Sequence, residues 1–182
     1  MVIAIISDIH DNLVNLRKCL AWCEKNAVEK IICCGDITNS ETLGILSAEF
    51  AGKIYLVRGN LEIYQEKEIN QYKNYTYGGR TAVWEIAGKK IGVCHEPFLI
   101  KEVFSKREFP SGGGVSAADE VGFRNRQIDL VFYGHTHRPW IELKNGVQIV
   151  NPGTLGGVFT PATFAVWDTA SGKLELKPLQ NL

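Results

Sequence analysis

Two of the chain's four histidines lie one residue apart, at positions 135 and 137 of the stretch FYGHTHRPW. A hydrophobic run precedes them and a proline follows them, so both imidazoles would emerge where a buried strand ends. In α/β proteins the functional side chains gather at the carboxyl ends of the strands. Two histidines alone do not distinguish such a site from a structural pair. The positions of the other reactive side chains show which of the two is expected.

The other two histidines, two aspartates and an asparagine also come shortly after apolar runs, which read VIAII, KIICC, KIYLV and KKIGVC. Because strand ends converge at one edge of an α/β sheet, we expect these side chains to meet. Histidines that serve only packing would be scattered along the elements instead. The sequence therefore predicts one site that contains Asp8, His10, Asp36, Asn60, His95, His135 and His137.

The spacing within this set suits metal binding. In the triplet Asp8-Ile9-His10, two residues that leave a strand would point the same way while Ile9 turns to the core. The histidine pair of GHTH repeats that arrangement. The same alternation excludes Cys94 as a ligand, since its thiol would point away from the site. The seven remaining oxygen and nitrogen donors are too many for one tetrahedral zinc, and they suit two divalent metals that share a carboxylate.

The elements that would position these residues form a βαβαβ pattern in the first half of the chain. The three apolar runs VIAII, KIICC and KIYLV are predicted strands, and the helices between them can be capped by Asn12 and Ser40. Hairpins are predicted over 82–95, 140–151 and 164–177, and a helix over 115–128 follows a loop over 109–116. We therefore expect an α/β protein with two packed sheets and outer helices, forming a single domain over residues 1–182.

Composition restricts the class of protein. The 182 residues include 20 basic and 20 acidic side chains, a balance that does not favour non-specific binding of nucleic acid. No apolar run approaches the roughly 20 residues of a membrane span. The five cysteines are odd in number and show no framework spacing, so we expect free thiols and a cytoplasmic location.

Five ordered motifs resemble those of the calcineurin-like metallophosphoesterase superfamily. They are Asp8/His10, Gly35-Asp36, Gly59-Asn60, His95 and Gly134-His135-Thr136-His137. The chain length and the NPGT sequence at 151–154 resemble the compact YfcE-type phosphodiesterase branch. The resemblance implies an α/β/β/α sandwich of two mixed sheets flanked by helices. It also implies two metal sites that share Asp36 as a bridge, one completed by Asp8, His10 and His137 and the other by Asn60, His95 and His135.

The function implied by the resemblance is a phosphodiesterase in which a hydroxide bridging two divalent metals attacks phosphorus in line. The catalytic residues would be Asp36, Asn60 and His95. Manganese is the expected metal, and iron, nickel, cobalt and zinc also suit imidazole and carboxylate ligands. The expected partner is a small phosphoester substrate, with neither a membrane nor non-specific nucleic acid bound, while a homo-oligomer stays open.

The chain departs from the family pattern beside the predicted ligands. Leu61 stands where the wider superfamily has a histidine placed to protonate the leaving group. Glu62 follows it and is interpreted as a hydrogen-bond acceptor behind the ligands. His95-Glu96-Pro97 replaces the His-Gly-His of the compact branch. Glu96 is expected to be a solvated loop residue, and the alternatives are a group that crowds an anionic substrate and the missing acid. Candidate substrate contacts are Asn12, Arg58, Glu96 and Arg138.

Two other functions are compatible with the same fold. One is a protein-interaction scaffold like the retromer subunit, whose site has lost ligands. All seven ligand positions are filled here, which argues against it. The other is a nuclease like the double-strand-break repair members, disfavoured by the short chain and the balanced charge.

Overall fold

The computed structural model describes residues 1–105 and 128–182, which form two β-sheets and four α-helices. The helices are α1 (Leu13–Lys25), α2 (Ser40–Glu49), α3 (Glu66–Ile69) and α4 (Ile100–Ser105). The strands are β1 (Val2–Ile6), β2 (Val28–Cys33), β3 (Lys53–Leu56), β4 (Tyr75–Tyr77), β5 (Thr81–Ile86), β6 (Lys89–Cys94), β7 (Leu130–Phe132), β8 (Trp140–Lys144), β9 (Val147–Asn151), β10 (Thr163–Asp168) and β11 (Leu174–Pro178).

Both sheets are mixed, as the sequence predicts. The first has the strand order β11-β10-β1-β2-β3-β4, in which β1 to β4 run parallel and β10 pairs antiparallel with β1. The second has the order β5-β6-β7-β9-β8, with β6, β7 and β9 parallel. The parallel strands of each sheet end at the same edge, and this edge is where polar loops can converge.

Alternation of side chains along β1 divides the core into layers. Ala4 and Ile6 belong to an apolar cluster that includes residues of α1 and α2, whereas Ile3 and Ile5 belong to a cluster between the two sheets. A third cluster joins α4 to the outer face of the second sheet and includes Val103. The layers therefore follow the order helix, sheet, sheet, helix, which confirms the predicted α/β/β/α sandwich.

The three predicted hairpins are confirmed as β5–β6, β8–β9 and β10–β11. Helix α1 begins after Asn12, whose side chain accepts a hydrogen bond from the amide of Asn15 at 3.1 Å. The prediction for α2 is wrong by one residue, because Asn39 rather than Ser40 caps it, through the amide of Thr42. The short elements α3 and β4 were not predicted, since neither has a long apolar period.

The helix predicted over 115–128 and the loop over 109–116 fall on residues 106–127, apart from Ile128, and lie outside the described residues. All five cysteines are described, and they are buried free thiols as predicted. In residues 1–105 and 128–182, no helix has the length and apolar character needed to cross a membrane.

Candidate metal centre

All seven predicted donor side chains meet at one edge of the two sheets. They lie in the loops that follow β1, β2, β3, β6 and β7, so strands from both sheets supply them. The two carboxylates and His95 are almost fully buried, while Asn60 and His135 are exposed. The acidic side chains of the centre are therefore buried, and Asn60 and His135 lie on the side that is exposed to solvent.

One group of donors consists of Asp8, His10 and His137. The Nε2 atoms of the two histidines face each other at 3.1 Å, and the Oδ1 atom of Asp8 lies 3.7 Å from one and 3.2 Å from the other. Ligands of a tetrahedral zinc lie about 3.3 Å apart, given metal–nitrogen distances of about 2.0 Å. These three atoms therefore have the spacing of ligands to one ion.

A second group is centred on His95. Its Nε2 atom lies 3.4 Å from Oδ2 of Asp36 and 2.9 Å from Oδ1 of Asn60, and that amide oxygen lies 2.7 Å from Nδ1 of His135. Oδ1 of Asp8 is 4.0 Å from the same Nε2 atom, so this carboxylate adjoins both groups. Five side chains thus converge around a second position, and three of them, Asp8, Asp36 and His95, are close enough together to hold one ion.

Asp36 lies between the two groups. Its Oδ2 atom is 3.9 Å from Nε2 of His10 and 3.4 Å from Nε2 of His95. Its other oxygen, Oδ1, accepts a hydrogen bond from the amide of Leu61 at 2.8 Å. One oxygen is therefore fixed by the backbone, and the other is directed toward donors of both groups.

The two oxygens of the Asp8 carboxylate also have different environments. Oδ2 accepts a hydrogen bond from the amide of His135 at 3.0 Å. Oδ1 is buried and has no hydrogen-bond partner among the described residues, although Nε2 of His137 lies 3.2 Å from it. A buried carboxylate oxygen without a partner costs several kcal/mol unless a cation balances it. The donor set therefore fits a bound metal ion.

Two backbone carbonyls fix the histidine rings. The carbonyl of Cys34 lies 2.8 Å from Nδ1 of His95, and that of Val158 lies 3.1 Å from Nδ1 of His137. A carbonyl only accepts, so each Nδ1 atom carries the proton and each Nε2 atom offers a lone pair to the centre. Metal-binding histidines are commonly oriented in this way.

The acidic and imidazole groups of the centre shift one another's pKa values toward their charged forms. Burial acts to lower the pKa of His95, but contact with Asp36 and the charges of Asp8 and Asp36 outweigh it, so the pKa is raised. Contact with Asp8 raises the pKa of His137. Burial acts to raise the pKa of Asp36, but contact with His95 and the hydrogen bond from Leu61 lower it overall. The lowered pKa of Asp36 favours its ionised form, which attracts positive charge.

The backbone of the ligand loops is strained, which the sequence did not indicate. The φ angles are positive at five donors: Asp8 (53°), His10 (47°), Asp36 (55°), His135 (67°) and His137 (58°). Strand alternation was therefore the wrong reason for placing Asp8 and His10 together, because β1 ends before them and the chain turns through the left-handed region. Such strain persists only where surrounding contacts enforce it, and it is common at functional sites.

The enforcing contacts come from the NPGT segment, whose role sequence reasoning missed. The hydroxyl of Thr154 and the amide of Gly156 both donate to the carbonyl of Asp8, each at 2.8 Å. The side chain of Asn151 donates to the carbonyl of Gly134 at 2.7 Å and to the hydroxyl of Thr136 at 3.0 Å. One loop therefore holds both the first and the last ligand segment.

Two glycines permit the close approach of these loops. A Cβ atom at Gly59 would lie 2.1 Å from Oδ1 of Asp36. One at Gly134 would lie 2.0 Å from Oγ of Ser7 and 2.8 Å from Oδ2 of Asp8. Any side chain at either position would displace a proposed ligand.

Glu62 supports the same loops, as the sequence predicts. Its carboxylate accepts hydrogen bonds from the amides of Ile37 at 3.3 Å, Thr38 at 2.9 Å and Gly59 at 3.2 Å. These bonds join the loop after β2 to the loop after β3. A carboxylate that accepts three amide protons is a positioning group rather than a proton donor.

The expectation that Glu96 is a solvated loop residue is wrong. This residue is 8% exposed, and its Oε1 atom lies 3.4 Å from Nη2 of Arg80, an exposed partner. Its Oε2 atom is buried without a hydrogen-bond partner among the described residues.

Cys94 packs in the outer apolar cluster, away from the centre, because it is still within strand β6.

The other candidate substrate contacts differ in their availability. Asn12 is engaged at both ends of its amide, since it caps α1 and donates to the carbonyl of Gly156 at 2.9 Å. Arg58 lies 3.6 Å from Glu66, at the start of α3. Arg138 is exposed directly after His137. The structure therefore places Asn12 in a supporting role and leaves Arg138 accessible.

An open cavity of about 280 Å³ adjoins the centre. Two of its walls, His10 and Asn60, are also donors of the two groups. Its other lining residues are Thr38, Leu61, Glu62 and Ile63. A ligand at the centre can therefore extend directly into this cavity.

Two curated relatives come from Methanocaldococcus jannaschii. The chain is 30% identical to a probable metallophosphoesterase over 159 residues, which is 85% of this chain and 68% of the relative. It is 26% identical to a phosphodiesterase over 176 residues, which is 93% of each chain.

Solved structures share the fold. An archaeal phosphodiesterase has a TM-score of 0.75 at 23% identity, covering 98% of this chain and 99% of its own. YfcE, a phosphoesterase from E. coli, has a TM-score of 0.63 at 17% identity, covering 98% and 100%. Vps29 from Cryptosporidium parvum has a TM-score of 0.60 at 22% identity, covering 97% and 95%. At these identities the likeness establishes the fold alone.

The family model that describes the calcineurin-like phosphoesterase superfamily domain matches residues 1–172, which include every donor of the centre. The five motifs on which the resemblance rests all lie within this match. The chain therefore belongs to the calcineurin-like phosphoesterase superfamily, with candidate metal-binding residues in its site.

Proposed function

We propose that the chain is a phosphodiesterase whose seven donor side chains hold two divalent metal ions. The observation that carries this proposal is the position of Asp36. A single oxygen of its carboxylate adjoins His10 of one donor group and His95 of the other. A carboxylate placed between two sets of imidazole nitrogens is suited to share its charge between two cations.

The proposed ligand assignment follows the two donor groups. Asp36 would bridge, one ion would be completed by Asp8, His10 and His137, and the other by Asn60, His95 and His135. Manganese suits this set of nitrogen and oxygen donors, as do iron, nickel, cobalt and zinc. We also propose that residues 1–182 form one domain.

The chain's own residues prepare the site for an anionic substrate. When bound, two divalent ions activate water near neutral pH and stabilise the charge of the phosphate oxygens. The carboxylates of Asp8 and Asp36 neutralise only part of the charge of two such ions, since the asparagine and histidines bind as neutral groups. The centre would therefore attract a phosphoester on a chain whose formal net charge is zero.

We expect two divalent ions per chain after reconstitution with excess manganese and removal of free metal. Elemental analysis of the purified protein would measure the ratio, and hydrolysis of bis(p-nitrophenyl) phosphate would be assayed on the same sample. Because the pKa values of His95 and His137 are raised and only neutral imidazole binds metal, loading should be stronger at about pH 8 than at about pH 6.

The two readouts test different parts of the proposal. A protein that retains at most one ion in excess metal would contradict the dinuclear centre. A protein that holds two ions but cleaves no phosphoester, with any of the five metals, would contradict the phosphodiesterase. That second result would favour an interaction scaffold, since Vps29 has the same fold.

A further inference from the structure

We infer that the cavity beside the metal centre is an apolar subsite for one ester group of the substrate, and that the protein prefers phosphoesters with a compact, uncharged apolar group of about one ring. This inference rests on the proposed function and adds the substrate class to it. The cavity shares His10 and Asn60 with the donor groups. A phosphoester seated at the centre must therefore direct a substituent into or past this space.

The outer walls of the cavity are apolar and exposed. Leu61 is 54% exposed and Ile63 is 78% exposed, an unfavourable arrangement for two large aliphatic side chains in one short loop. A ligand that covered them would remove this apolar surface from water. At about 280 Å³ the cavity is at the lower end of the range for ligand pockets, so it suits a group of about one ring.

The loop that carries these side chains is fixed in place. The amide of Leu61 donates to Oδ1 of Asp36 at 2.8 Å, and the amide of Ile63 donates to the carbonyl of Thr38 at 2.7 Å. The first bond ties the loop to the bridging carboxylate itself. The apolar surface is therefore held beside the phosphate position before any ligand binds, which reduces the ordering cost of binding.

The charge of the cavity excludes a second anionic group on the same ester arm. Its described lining residues include no lysine or arginine, and its one carboxylate is that of Glu62. This carboxylate accepts hydrogen bonds from the backbone amides of Ile37, Thr38 and Gly59. Within the cavity, an arm that ended in a carboxylate or a second phosphate would thus meet a like charge, and no cationic side chain lines the cavity to offset it.

Calorimetric titration of the manganese-loaded protein with three phosphonates tests this inference without turnover. Each compound carries the same anionic head and a single arm: methylphosphonate, phenylphosphonate and 2-carboxyethylphosphonate. We expect phenylphosphonate to bind about tenfold more tightly than methylphosphonate, the factor for burying roughly 50 Å² of apolar surface. The carboxyethyl compound should bind no better than the methyl compound.

Ile63→Ser should reduce the preference for phenyl over methyl to about threefold or less, with the affinity for methylphosphonate unchanged. The side chain of Ile63 is mostly exposed, so its removal should not unfold the protein. Leu143→Ser is the matched control, because Leu143 is 72% exposed on β8 and does not line the cavity. This control should keep the full tenfold preference.

Four results would overturn the subsite. They are equal binding of the phenyl and methyl compounds, tighter binding of the carboxyethyl compound, an undiminished preference in Ile63→Ser, and a preference lost in Phe159→Ser instead. Phe159 is an exposed side chain that does not line the cavity, with its ring 5.9 Å from that of His137. Failure of all three phosphonates to bind would contradict the proposed function itself, a result distinct from equal binding.

Discussion

Asp36→Asn is expected to lower the kcat for bis(p-nitrophenyl) phosphate by at least about 10³-fold. The substitution keeps the size of a side chain that is 2% exposed, so the protein should remain folded. It removes the negative charge from the oxygen that adjoins His10 and His95, and losing one preorganised electrostatic group of an active site costs about 10²–10³-fold. Because the bridging role affects both ions, we expect the upper end of this range or more.

Metal-induced stabilisation provides an independent readout of the same variant. An ion that binds only the folded chain raises its free energy of unfolding, by about 2.7 kcal/mol at a metal concentration of 100 Kd. The melting temperature of the wild type should therefore rise with manganese, and that of Asp36→Asn should rise much less. Asn60→Ala should lose only the contribution of one ion, since its amide oxygen faces His95 and His135 alone.

Asp129→Asn is the matched control for these measurements. Asp129 precedes β7, at the opposite end of that strand from His135, and accepts hydrogen bonds from Lys89 and the amide of Lys90. The variant removes the same charge from a site away from the centre, so its activity and metal response should match the wild type. Equal melting shifts in Asp36→Asn and Asp129→Asn would contradict the bridging role.

The sequence predicted which residues meet because their positions depend on strand ends. Asp8 and Asp36 follow parallel strands of the first sheet, which end at the same edge, and His95 follows a strand of the second sheet that ends beside that edge. That inference needs no knowledge of the loops. It identified the donor set even though the reasoning about side-chain alternation after β1 was wrong.

The parts that could not be predicted are set by contacts between distant segments. The positive φ angle of Asp8 depends on hydrogen bonds from Thr154 and Gly156, about 146 residues along the chain. The ring of His137 is oriented by the carbonyl of Val158, a group that any residue type would supply. The burial of Glu96 depends on how its loop packs. A charged side chain is normally expected at the surface, so the sequence points the other way. None of these three features produces a recognisable pattern in the neighbouring sequence.

Hydrolysis by the wild type is expected to depend steeply on the leaving group. For methyl aryl phosphates that differ only in ring substituents, log(kcat/KM) should fall strongly as the pKa of the phenol rises. Expulsion of a poor leaving group benefits from a proton donor, an effect of typically 10²–10⁴-fold. Leu61 stands at the position of that donor and carries no titratable proton.

The neighbouring acidic side chains are engaged in other contacts. The carboxylate of Glu62 accepts three backbone hydrogen bonds, and Glu96 is buried with its Oε1 atom beside Arg80. Activated aryl esters should therefore be cleaved well, because their phenolates leave without a proton. Unactivated alkyl diesters should be much slower, because their departing alkoxide would lack a proton donor whose contribution is typically 10²–10⁴-fold.

Leu61→His should weaken this dependence, raising kcat/KM for poor leaving groups much more than for good ones. The side chain of Leu61 is exposed at the wall of the cavity, so an imidazole can be accommodated there. Leu61→Ser is the matched control, since it removes the same apolar surface without adding a group that titrates near neutral pH. A steep dependence in the wild type and in Leu61→Ser, with a shallow one in Leu61→His, would establish that leucine is the cause. A wild type whose rates were independent of the leaving-group pKa, or a Leu61→His variant with an unchanged slope, would contradict this account, because the departing oxygen would then either receive its proton from another group or not lie beside residue 61.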